Sequence, residues 1–373
     1  MRILLVIDSL AWGGSQRQMA NLAVGLHARG HEVHLFQYFP HFDHYRAPVV
    51  RAGVTLLDFE KRRKFDPGVV AALVGHMRRT RYDVAVAFLA GPSAFTVIAA
   101  QLAGGPPVIV SERGSFRPGR IPLYARLQRV THRRAAQVTT NSFHHAARVL
   151  QEFPWLAGRV STIWNGIDIE QFRPAADPMR SATGLRVLGV GTVVPIKDIE
   201  TLAAAVAAIA DRGGPRIEVA WAGKILDSEA SQGVVRRVDA RLAAAGASDR
   251  WRWLGLQQDM PALYARCDVV VHPSAREGLP NALCEALACG VPSIAADAAD
   301  HARLLANGER GLLFQTGDAV ALADALARME ALGPAARAQM GNAARRFATE
   351  ALSLAASVDA WEALLGRVVT PGQ

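Results

Sequence analysis

DVVVHPSAREGLPNALCEALACGVPSIAAD, residues 268–297, reads as strand, turn, helix and strand in quick succession. Its first run is apolar at consecutive positions, the pattern of a strand covered on both faces. Pro280-Asn281 opens the helix, and Gly290 with Pro292 just beyond it closes the helix. A buried strand that returns through a helix to a second buried strand is the unit of a parallel sheet. Two carboxylates interrupt this core-like stretch. Glu277 stands at the strand's carboxyl end, and Glu285 lies about one turn into a helix of Ala, Leu and Cys.

The same alternation runs along the whole chain. RILLVID, EVHLF, VTLLDF, VAVAF, VIVSE, VTTNS and STIWNG come first, then LRVLGVG, IEVAWAG, WRWLGL, DVVVHPS, PSIAAD and GLLF. Helical patterns such as SQRQMANLAVGLHARG and DIETLAAAVAAIADRG separate most of them. That is too many strands for one open sheet, and composition shifts at RPAADPMRSATG, residues 173–184. The expectation is an α/β chain with two Rossmann-like, doubly wound domains, 1–172 and 185–352, joined by a linker at 173–184 and facing a central cleft. Residues 318–366 read as three consecutive helices, and the segment 353–373 is expected to pack back onto the first domain.

Bulk properties agree. A chain of 373 residues, 50% hydrophobic and 20% charged with mean hydropathy +0.12, suits two domain cores. Residues 1–172 hold 21 Lys and Arg against 11 Asp and Glu, and the remainder 21 against 22. The excess positive charge therefore lies in the first half and points to an anionic partner on that side. Cys267, Cys284 and Cys289 form no metal-binding spacing and read as small buried apolar residues in a reducing compartment. The uncharged run 84–110 is long enough to span a bilayer, but Gly91-Pro92 and Gly104-Gly105-Pro106-Pro107 cut it into strand, helix and strand.

In open parallel sheets, ligands bind outside the carboxyl ends of the strands. Glu277 occupies such an end, and the free backbone N–H groups of Gly278, Leu279, Asn281 and the rest of the first helical turn, with Pro280 lacking one, form an anion site beside it. A carboxylate beside phosphate is useful when it accepts hydrogen bonds from sugar or ribose hydroxyls. Glu285 fits that role, or equally the role of an acid favoured by the helix dipole. Lys197, one of four lysines, follows another strand end in VGTVVPIKD, residues 190–198. It is either a phosphate ligand or a solvated surface residue. Gly13-Gly14, before a helix at the end of the first strand, permits close backbone approach to a ligand.

Taken together, the order and spacing of four blocks resemble the retaining GT-B glycosyltransferases of family 4. The blocks are GGSQRQMANLAVGLHARGHEV (13–33), WNGIDIEQFRP (164–174), the Glu-x7-Glu segment at Glu277 and Glu285, and NGERGLLFQTGDAVALADAL (307–326). The resemblance implies that Glu277 meets hydroxyls of the donor sugar, with the backbone of Gly278 to Asn281 beside sugar and phosphate. It further implies that Glu285 holds the ribose, that Lys197 neutralises the diphosphate, and that Gly14 approaches it from the other domain. Leu256 and Gln257 fall where the family lines its base pocket. Thr192 stands where the family often has an arginine, and Glu112 and Arg113 stand near a position that is often histidine, on the acceptor or sugar side. Ala299 takes the place of a glycine common in relatives.

The implied reaction needs neither metal nor cofactor, the nucleotide sugar being a substrate, with UDP favoured over GDP. Its expected acceptor is a lipid-linked or saccharide hydroxyl, in a cytoplasmic protein able to sit peripherally at the inner face of the membrane. Residues 113–134 interleave arginines with Phe116, Ile121, Leu123, Tyr124, Leu127 and Val130, and 61–64 is KRRK. These segments suit an anionic membrane surface or a solvated helix packed on the sheet. No nucleic-acid recognition module is present in the pattern. A non-catalytic nucleotide-sugar-binding protein and a sugar-nucleotide epimerase of the same architecture are the alternatives.

Overall fold

Each of the thirteen apolar runs forms a strand in the computed structural model, which describes residues 1–63, 66–113, 129–176 and 184–370. They are β1 (Arg2–Ile7), β2 (Glu32–Gln37), β3 (Thr55–Asp58), β4 (Val84–Phe88), β5 (Val108–Glu112), β6 (Gln137–Thr140) and β7 (Val160–Thr162). After these come β8 (Leu185–Val190), β9 (Ile217–Ala222), β10 (Trp251–Gly255), β11 (Val269–His272), β12 (Ser293–Ala296) and β13 (Gly311–Phe314). All pairings are parallel. The first sheet has the order β3-β2-β1-β4-β5-β6-β7, and the second β10-β9-β8-β11-β12-β13.

Continuous apolar strands arise because both faces are covered. In β1, Ile3, Leu5 and Ile7 enter one core, with Met19, Ala23 and Leu26 of the helix Gly14–Ala28. Leu4 and Val6 enter the opposite core, with Leu73 and Met77 of the helix Pro67–Thr80. Alternate side chains of a strand point to opposite faces, so a strand between two helical layers has no position left for a polar residue. Asp66, Ser142, Ser228 and Asp318 cap the helices that follow them through side-chain bonds to early N–H groups.

The chain divides into two compact units, Met1–Gly166 with Leu354–Gln373, and Ile167–Ser353. Residues 167–172 are tied to the second unit, where Arg345 Nη1 donates to the carbonyls of Ile169, Phe172 and Ala288. Much of the expected linker, 177–183, lies outside the described residues. The final helix, Leu354–Val369, completes the first unit. Trp361 is 2% exposed and stacks near Phe88 of β4, with ring centroids 5.7 Å apart. Gly25 allows the close approach, since a Cβ there would sit 2.4 Å from Val358 Cγ2. Arg29 pairs with Asp359 and Glu362 across the same contact.

The uncharged run 84–110 folds as β4, the helix Ala90–Ala103 and β5, and no helix among the described residues is long and apolar enough to cross a membrane. The three cysteines are free and buried.

Candidate functional site

The order of the second sheet reverses between β8 and β11, which pair directly although two strands separate them in sequence. Connections leave these two strands in opposite directions, and the space beyond their carboxyl ends is where such sheets hold ligands. Lys197 follows β8 and Glu277 follows β11. The fold brings them together, with Lys197 Nζ 2.5 Å from Glu277 Oε1.

The loop carrying Lys197 is held by its neighbours. Trp221 Nε1 donates to Gly191 O at 2.8 Å, Ser231 Oγ to Val193 O at 2.6 Å, and the Val193 N–H to Lys224 O at 2.9 Å. Gly191 has φ +147°, and a Cβ on Gly223 would fall 1.8 Å from Gly191 O, so both positions require glycine. The Ala275 N–H donates to Ile196 O at 3.2 Å and joins the β8 loop to the β11 loop.

Behind the ion pair lies a histidine that the sequence did not single out. His272, the last residue of β11, is 2% exposed, and its Nε2 lies 3.2 Å from Glu277 Oε1. Burial pushes His272 down despite Glu277, so it is neutral and donates from Nε2. Its ring meets His301 edge-on at 5.3 Å, and His301 Nδ1 bonds Ala296 O at 2.6 Å. Burial alone would raise the Glu277 carboxyl, but the His272 bond and the Lys197 charge outweigh it and hold Glu277 well below the usual carboxylate range. Its side chain remains 17% exposed and that of Lys197 20%, so both heads reach the surface of the unit.

The helix Asn281–Ala288 follows with no side-chain cap among the described residues. Leu279 and Pro280 are buried, fixing the turn that presents the first N–H groups after Gly278. Glu285 is only 6% exposed, and the single Tyr264 Oη proton is shared between its Oε2 at 3.2 Å and Ala282 O at 3.1 Å. Burial, then Glu285, raises the Tyr264 hydroxyl well above its ordinary value, so it stays a donor. Tyr264 thus fixes the orientation of Glu285, a role no spacing in the sequence announces. Thr192 is exposed in the Lys197 loop. Leu256, 64% exposed, and Gln257 leave the carboxyl end of β10 at the same edge of this sheet. Ala299 adopts φ +49°, a region alanine enters at about 1–2 kcal/mol and glycine freely.

In the first unit the reversal falls between β1 and β4. Gly13, in extended backbone, caps the helix begun by Gly14 at the end of β1. Glu112 ends β5, but its carboxylate turns inward: Arg129 Nη2 donates to Oε2 at 2.8 Å, and His132 Nε2 lies 2.9 Å from Oε1. Desolvation of Glu112 is overcome by His132 and Arg129, which pull it down to about 2. A carboxyl depressed on folding contributes stability above its unfolded value of 4.5 and loses it as the pH falls through about 2. Glu112→Gln is expected to cost roughly 3 kcal/mol at neutral pH and to flatten the fall in stability across that window, as read by urea melts at stepped pH. A parental acid limb in the variant would show that Glu112 does not carry it. The stretch 114–128 of the basic segment, and Lys64, lie outside the described residues.

Among the described residues no group of three or more His, Cys, Asp and Glu side chains is placed to hold a metal ion.

Residues 12–171 match the family described as Glycosyltransferase Family 4, and residues 184–331 match Glycosyl transferases group 1. The D-inositol 3-phosphate glycosyltransferase of Saccharomonospora viridis is 32% identical over 225 residues, 57% of this chain and 52% of that protein. The lipopolysaccharide core biosynthesis mannosyltransferase LpcC of Rhizobium leguminosarum bv. viciae is 36% identical over 91 residues, 24% of this chain and 26% of that protein. The chain thus spans about half the length of the first of these curated relatives and about a quarter of the second. Among solved structures, Anabaena Alr3699/HepE in complex with UDP superposes with TM-score 0.85 at 21% identity, covering 98% of this chain and 100% of that one. A glycosyltransferase from Rickettsia africae gives 0.85 at 14% identity, covering 100% and 99%. These likenesses show the shared fold, two Rossmann-like α/β units of the GT-B kind.

Proposed function

Because the chain belongs to glycosyltransferase family 4, the group 1 glycosyltransferases, we propose that it moves a sugar from a nucleotide diphosphate donor, with UDP favoured, to a hydroxyl of a lipid-linked or saccharide acceptor with retention at the anomeric carbon. The observation that carries this reading is the pairing of Lys197 with Glu277 beside an uncapped helix N-terminus at the reversal of the second sheet. That arrangement offers one cation and a set of backbone N–H groups to a diphosphate, and one ionised carboxylate to sugar hydroxyls.

In the proposed reaction the acceptor oxygen forms its bond to the anomeric carbon on the face from which the phosphate departs. The bond to the donor phosphate oxygen breaks, and that oxygen takes the acceptor's proton. No protein nucleophile is required. Lys197 and the helix N-terminus balance the charge growing on the diphosphate, Glu277 orients the sugar, and Glu285, set by Tyr264, holds the ribose. Catalysis is then positioning and electrostatic stabilisation. UDP as nucleotide is supported by solved Anabaena complexes with UDP and with UDP-glucose, and acceptors bearing hydroxyls by the names of the curated relatives. The net positive first half supports contact with an anionic surface, with the protein peripheral at the inner face of the membrane.

The test is UDP binding followed by product analysis. UDP at about 100 times its Kd should stabilise the protein by about 2.7 kcal/mol. Glu285→Ala should abolish that response, and Tyr264→Phe should weaken it about fivefold, the effect of one hydrogen bond. Undiminished UDP binding in Glu285→Ala would remove Glu285 from the site. An inverted anomeric centre in the NMR spectrum of the product would overturn retention, and loss of transfer in EDTA would overturn metal independence.

A further inference from the structure

Arg113 leaves the carboxyl end of β5 and lies over the ring of Phe88, the last residue of β4, with Cζ 3.7 Å from the ring centroid. Nε donates to Ser111 Oγ at 3.0 Å, and Nη1 to Asn165 Oδ1 at 2.8 Å. Ring, hydroxyl and amide fix the plane of the guanidinium, yet none of them carries a negative charge. No carboxylate among the described residues pairs with Arg113, and residues 64–65 and 114–128 contain no Asp or Glu. Burial draws its pKa down to about 9, so it is still a cation at neutral pH. Nη2 has no partner among the described residues.

Other charged side chains in the interior are differently arranged. Glu112 is answered by Arg129 and His132, and Asp268 by Arg186, while Arg345 Nη1 donates to three carbonyls. A cation held rigidly without counter-charge is unfavourable until an anion meets it. Its fixed fork then offers paired N–H donors to an oxyanion. The position is also at the end of the sheet where ligands bind, on β5, which pairs with β4, one of the two strands at the reversal of the first sheet.

We propose that Arg113, held by Phe88, Ser111 and Asn165, is a subsite for an oxyanion carried by the acceptor, a phosphate or a carboxylate. Assigning the anion to the acceptor rests on the reading above that the first unit receives it; the subsite itself does not depend on that reading. The enzyme then selects acceptors with an anionic group near the hydroxyl to be glycosylated, and Glu112 is a positioning residue for the segment around Arg129 and His132.

The test titrates the full-length protein with inorganic phosphate and with acetate by thermal shift, each at constant ionic strength and in saturating UDP. At least one anion should give a saturable response that persists with UDP bound. Arg113→Gln should weaken it by at least about tenfold, as should Arg113→Met, which keeps an apolar contact with Phe88. Both variants should keep the parental response to UDP. Should Arg113→Gln fail to fold, Arg113→Met and Arg113→Lys carry the comparison. The proposal fails if neither anion binds, if the variants respond as the parent does, or if UDP abolishes the response, which would place the anion in the donor's diphosphate site. Phosphate or acetate binding without any UDP response would leave the subsite standing and sink the donor reading.

Discussion

Lys197→Ala is expected to lower sugar transfer by about 10²–10³-fold while the protein stays folded, the scale of losing one charge-stabilising donor from an active site. The residue sits at the surface of its unit, so its removal leaves no cavity. It does leave Glu277 with His272 as its remaining side-chain partner among the described residues. Two effects should therefore separate. Turnover falls because the departing diphosphate loses its cation, and the Glu277 carboxyl moves up toward the range that burial favours. The acid limb of the rate profile should accordingly shift to higher pH in the variant. Lys197→Arg should recover part of the rate, since charge returns with a different reach. A variant that transfers at the parental rate with an unmoved acid limb would take Lys197 out of the chemistry.

The second large effect concerns stability. Trp221 is 1% exposed, fills the space above Gly189, and donates from Nε1 to Gly191 O. Truncation to alanine should cost about 3–5 kcal/mol, a fall in melting temperature of roughly 6–20 °C at the slope expected for a unit of this size. The same change frees the carbonyl that steadies the Lys197 loop, so UDP should stabilise Trp221→Ala less than the parent. Trp221→Phe separates the two contributions, keeping most of the packing without the indole N–H. Full UDP stabilisation in both variants would show that the loop holds its shape without the tryptophan.

The strands were legible because their physics is local. A run such as VVVH or VAVAF can be buried on both faces only in a covered parallel sheet. Both Glu-x7-Glu positions were legible as well, since Pro280, Asn281 and Gly290 set the helix ends. What escaped the sequence depends on long-range approach. His272 looks like one more residue of a buried strand until Glu277 folds back onto it. Tyr264 stands 21 positions from Glu285, and nothing in MPALYA marks its hydroxyl as a partner. Glu112 reads as an acid at a strand end, where ligand contacts are expected, yet His132 and Arg129 arrive from some twenty positions later and claim both oxygens. The direct contact of Lys197 with Glu277, 80 positions apart, follows from the pairing of β8 with β11.

The return of the last helix to the first unit also sets an order of assembly. Val358, Trp361, Leu364 and Leu365 belong to the core built on β1, β2 and β4, and they are made only after the whole of the second unit. The second unit, complete at Ser353, can close before the first one does. Domains of growing chains generally fold as they appear, amino end first. Here the first of the two units must wait, an apolar groove along Gly25 and Phe88 open to the ribosome's surroundings, until the helix made after the second unit reaches it.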